Sequence, residues 1–86
     1  MNSELEIDDV AVGERLQRVR EILKLSKRDF AAAAGLKEQV YGPFETGKRR
    51  LSLNAALRLR ERYDLTFEFM YFGKTQDLPH RIAKEL

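Results

Sequence analysis

The stretch from Ser26 to Gly47, reading SKRDFAAAAGLKEQVYGPFETG, leaves this chain fewer choices than any other. Ser26 is a good helix N-cap, and Asp29 stands three residues on as a short acid in the capping-box place. The run Ala31 to Ala34 propagates a helix and leaves it a thin face that another helix can approach closely. Gly35 stops that helix, because glycine takes the positive φ needed just past a helix end. Leu36 follows as a plug, and a second segment runs from Lys37 to Thr46. The spacing predicts two short helices joined by a turn of three or four residues.

The flanks read as further helices. From Val12, apolar residues recur at Leu16, Val19 and Leu23, the spacing of an amphipathic helix, with Arg15, Arg18 and Lys24 off the stripe and expected in water. Ser52 caps a helix from Leu53 to about Tyr63, with Leu53, Ala56, Leu57, Leu59 and Tyr63 as its apolar face. Thr66 caps another that ends at Gly73. That helix holds four aromatics in six residues, more than one face of a short helix can bury. Phe67 and Met70 are the expected core residues, leaving Phe69, Tyr71 and Phe72 for a partner or for the C-terminal segment. Pro79 suits the first position of a last helix, with Leu78, Ile82 and Leu86 as its apolar side. Too short to be stable alone, this piece must dock on its own chain or on a second copy.

Helix, glycine turn and helix together form a helix-turn-helix, and the pattern from about Val12 to Gly73 resembles the Cro and phage-repressor (XRE) family. The resemblance implies an all-α fold: a compact five-helix, lambda-repressor-like DNA-binding domain over residues 10–73. An acidic tail (1–9) precedes it and a short helical segment (74–86) follows, the latter a possible dimer contact. The implied function is sequence-specific binding of double-stranded DNA by a homodimeric, repressor-type transcriptional regulator in the cytoplasm. Glu38 and Gln39 inherit the base-reading role, Gln39 suited to adenine N6 and N7 and Glu38 to cytosine N4. Ser26, Lys27, Lys37, Thr46, Lys48, Arg49 and Arg50 are the implied phosphate contacts. An ion pair between Arg20 and Glu45 is likewise implied, tying the first helix to the end of the recognition segment. Phe69, Tyr71, Phe72, Leu78, Ile82 and Leu86 are the candidates for a dimer interface.

Gly42-Pro43 departs from the family pattern. Proline lacks the N–H that would bond the Gln39 carbonyl, and its ring crowds that carbonyl, at about 3 kcal/mol in a helix interior. The residue before a proline also avoids helical backbone. The expectation is a kinked, shortened or divided helix, with Val40, Tyr41 and Phe44 still turned to the core. A second reading follows, in which the fold serves as a protein-interaction module of antitoxin or anti-repressor type with weakened DNA reading.

Composition agrees with one small domain. Net charge is +2, but the first eleven residues hold Glu4, Glu6, Asp8 and Asp9 and no base. Without those four acids, 16 bases face 10 acids, a basic body suited to a polyanion. There is no cysteine, and His80 is the single histidine, so neither a thiolate metal site nor a histidine-based catalytic site has supporting residues. No enzyme activity, metal, cofactor or small-molecule ligand is expected, and no apolar run approaches the ~20 residues of a membrane span.

Overall fold

The computed structural model describes residues 6–86. Six helices follow one another: α1 (Asp9–Ile22), α2 (Lys27–Ala33), α3 (Glu38–Glu45), α4 (Leu53–Tyr63), α5 (Phe67–Phe72) and α6 (His80–Ala83). No strand occurs among the described residues.

Local chemistry sets the boundaries. Hydroxyls of Ser26, Ser52 and Thr66 accept the backbone N–H of Asp29, Ala55 and Phe69 at 3.0–3.1 Å, capping α2, α4 and α5. Helix α1 starts earlier than apolar periodicity predicts. Asp8 caps it, accepting from Val10 and Ala11, so Asp8 and Asp9 belong to the folded body rather than to a tail. Glu4 lies outside the described residues. At the end of α2, Gly35 (φ 77°) donates to Ala32 and Leu36 to Ala31, the pair of bonds that turns the chain sharply and buries Leu36.

The core gathers Leu16 and Val19 from α1, Phe30 and Ala31 from α2, Tyr41 and Phe44 from α3, Leu59 and Tyr63 from α4, and Phe69 and Met70 from α5. Phe30 is its centre: Tyr63 stacks on its ring at 4.3 Å, Tyr41 tilts against it at 5.3 Å, and the Tyr63 hydroxyl donates to the Phe30 carbonyl at 2.7 Å. Gly13 lets α1 touch α3 backbone to backbone. A Cβ there would lie 2.6 Å from the Phe44 carbonyl oxygen and closer still to that of Glu45.

Several side chains take places other than those expected. Leu53 and Leu57 are exposed, Leu53 by 63%, because α4 rolls Ala55, Ala56 and Leu59 inward. Arg15 is half-buried and donates to the Met70 carbonyl at 3.1 Å, serving the C-terminal end of α5. In α5 the buried pair is Phe69 and Met70, whereas Phe67 is half-buried beneath the Arg60 guanidinium at 4.9 Å. Ile82 is fully buried in this chain's own core, and Arg18 donates to the Glu85 carbonyl at 2.8 Å. The Tyr71 hydroxyl donates to Leu51 at 2.7 Å. Of the six residues offered for a dimer contact, Phe72 and Leu86 are the exposed ones. No described helix is long and apolar enough to cross a membrane.

Candidate nucleic-acid interface

Helix α3 is continuous from Glu38 to Glu45 with Pro43 inside it, so the expected division at Gly42 does not occur. Two features reduce the cost. Gly42 has no Cβ to meet the proline ring, so it accepts helical backbone more readily than other residues in that place. The Gln39 carbonyl, deprived of its partner, belongs to an exposed residue where water can reach it. The Pro43 carbonyl in turn accepts from the Arg49 N–H at 3.2 Å and from the Thr46 hydroxyl at 3.3 Å, joining the helix to the basic loop after it.

Three residues hold α3 down. Tyr41, Phe44 and Glu45 are buried, one helical face at i, i+3 and i+4. Glu45 is the buried charge among them, its side chain 2% exposed. A carboxylate at a helix C-terminus opposes the dipole, and an unpaired buried one is costly. Arg20 answers both. Its Nε and Nη2 donate to Glu45 Oε2 and Oε1 at 2.6 and 3.1 Å, and its Nη1 donates to the Leu25 carbonyl at 3.0 Å. The Tyr41 hydroxyl donates to Glu45 Oε2 at 2.6 Å. The pair therefore fixes α3 against α1 with directional, charge-assisted bonds.

Opposite that face, Glu38, Gln39 and Val40 are exposed and Gly42 and Pro43 are half-buried. Val40, expected inside, is 42% exposed, since the 100° step per residue carries it past the edge of the buried sector. Lys27 opens α2, Lys37 immediately precedes α3, and Lys48 and Arg49 lie in the loop between α3 and α4, where the Arg49 N–H bonds the Pro43 carbonyl. None of these four is in an ion pair among the described residues. Arg50 differs. Its guanidinium donates to Asp9 Oδ1 at 2.9 Å and to the Ile7 carbonyl at 3.2 Å, so it is already occupied by the start of α1. Sequence reasoning missed this pairing, whose partners lie 41 positions apart.

All three tyrosine hydroxyls have raised pKa values. Burial is the main cause at Tyr41, Tyr63 and Tyr71, and the bond to Glu45 adds to it at Tyr41. A raised value means that the folded chain keeps protons which the unfolded chain releases above pH ~10. Stability is therefore full below that pH and falls as pH rises through and beyond it. Urea midpoints should stay level from about pH 7 to 9 and drop between about pH 10 and 11. Tyr41→Phe should be less stable at neutral pH and show a shallower alkaline drop.

A bihelical wedge held by a buried ion pair, with exposed cations on the flanking elements, is the architecture of helix-turn-helix proteins, and likeness to known proteins supports a DNA-binding transcription regulator. The chain belongs to the helix-turn-helix family, whose model matches residues 16–70. It is also similar to a solved structure, the restriction-modification controller protein C.AhdI from Aeromonas hydrophila. The two are 28% identical with a TM-score of 0.67, the match covering 83% of this chain and 100% of that one. None of the curated proteins compared with the chain matches it.

Proposed function

We propose that this protein is a sequence-specific, repressor-type regulator that binds double-stranded DNA as a homodimer, each α3 entering a major groove one helical turn from the other. The observation that carries the reading is the exposed outer side of α3 together with Lys27, Lys37, Lys48 and Arg49 on the flanking elements, none of them in an ion pair among the described residues. Glu38 and Gln39 present hydrogen-bonding groups to base edges, and the cations, with Ser26 and Thr46 beside them, bind phosphates. Similarity to a restriction-modification controller supports a regulatory role of that kind. Of the six residues expected at a dimer contact, Phe72 and Leu86 are exposed and available for pairing with a second copy.

Duplexes selected from a random pool, titrated at several salt concentrations, test the proposal. Log K should fall against log salt with a slope of about −0.9 per phosphate neutralised. Lys48→Ala and Arg49→Ala should each reduce the slope by about 1 and weaken all sequences alike. Asp9→Asn, which frees Arg50, should tighten binding with little change in melting temperature, the Asp9–Arg50 pair being exposed. Phe72→Glu should shift sedimentation towards the monomer. A flat salt response would overturn DNA binding and favour the protein-interaction module.

A further inference from the structure

The outer face of α3 is only partly polar. With Tyr41, Phe44 and Glu45 directed inward, steps of 100° place Gln39 and Pro43, one turn apart, at the centre of the opposite side. Val40 flanks Pro43 at i+3, so a valine and a proline ring form an apolar ledge beside the Gln39 amide. Neither can donate or accept a hydrogen bond through its side chain. Neither belongs to the buried core cluster: Val40 is 42% exposed and Pro43 half-buried. The Arg49 N–H bonds the Pro43 carbonyl, and Lys37 and Lys48 stand just before and just after α3, so the ledge is set in a basic stretch that favours a polyanion over an apolar partner protein.

Within the major groove, one group on a base edge is apolar: the 5-methyl of a pyrimidine. We propose that Val40 and Pro43 form a methyl-reading ledge that takes the 5-methyl group of a pyrimidine next to the base pair addressed by Gln39. The inference rests on the DNA-binding reading above. Thymine and 5-methylcytosine both carry the group, so the same ledge would respond to cytosine methylation. Proline at this place then has a use, because its rigid ring presents hydrocarbon without a competing hydrogen-bond group.

The test uses the full chain and its selected duplex. Each thymine is replaced in turn by deoxyuridine, and each cytosine by 5-methylcytosine, with Kd measured by fluorescence anisotropy. Deoxyuridine at one or two positions should weaken wild-type binding about 4-fold, the effect of losing one buried methyl. Val40→Ala, a change at an exposed position, should reduce that sensitivity to below about 2-fold, and Val40→Thr, of like shape, should retain part of it. A response in the uracil arm identifies thymine as the source, and tightening in the 5-methylcytosine arm identifies the methylated base. If wild type is indifferent to every methyl while the salt slope stays steep, the ledge is overturned and DNA binding stands. Equal methyl sensitivity in wild type and Val40→Ala also overturns it. A flat salt slope removes both readings together.

Discussion

Gly13→Ala should unfold a large share of this protein under conditions where the wild type is native. In an exposed helix interior the same change stabilises by up to about 1 kcal/mol, because glycine is the poorer helix former. Here the added methyl meets backbone, not a movable side chain: the carbonyl groups of Phe44 and Glu45 at 2.6 Å and closer. Those atoms are fixed by α3 and by the buried pair at its end, so α1 and α3 must separate. Overpacking of this kind costs ~3 kcal/mol or more. A chain of 86 residues is stable by about 4–13 kcal/mol on a per-residue scale of ~0.05–0.15 kcal/mol. Urea denaturation followed by circular dichroism would measure the loss, and an unchanged midpoint would mean that α1 and α3 do not meet backbone to backbone at Gly13.

Removing one side of the Arg20–Glu45 pair should cost nearly as much. Glu45→Ala strands a guanidinium that is 14% exposed and the hydroxyl of Tyr41, and Arg20→Ala strands a carboxylate with the Tyr41 hydroxyl as its remaining donor. Each single change should destabilise by roughly 3–5 kcal/mol. The double change Arg20→Met with Glu45→Leu, made in a Tyr41→Phe background so that no buried hydroxyl is stranded, removes both charges and keeps volume, and it should recover most of that loss. A double-mutant cycle reads the coupling directly, and additivity of the two single losses would mean that the pair adds nothing beyond its parts. Duplex binding of the recovered variant separates stability from function: the methionine and leucine can fill the space but cannot supply two directed hydrogen bonds.

The elements whose signals are local were legible in the sequence. Ser26, Ser52, Thr66, Gly35 and Gly73 mark helix ends through their own side chains or lack of one, and the helices begin or end beside them. The partnership of Arg20 with Glu45 came from the resemblance and not from spacing, since nothing about a separation of 25 positions brings two charges together. What the sequence left open was the roll of each short helix. In α5, six residues with five large apolar members fit more than one buried face, and contact with α1 and α4 selects Phe69 over Phe67. In α3 a small rotation decides whether Val40 is core or surface. At Pro43 the helix runs on where a break was expected: Gly42, lacking a Cβ, eases the restriction on the residue before proline, although the hydrogen bond to the Gln39 carbonyl is still lost. Gly13 did carry a signal: a glycine kept in a helix interior despite its cost points to a close approach there.

Anchoring and reading are assigned to different sides of α3. Tyr41, Phe44 and Glu45 fasten it, while Glu38, Gln39, Val40 and Pro43 have little or no part in that attachment. Residues on the outward side can therefore be exchanged almost independently of folding, as letters are exchanged in a fixed frame. On the proposed DNA-binding reading, retargeting this protein to another sequence would be a matter of those four positions, provided the new occupant of position 43 keeps a helical backbone.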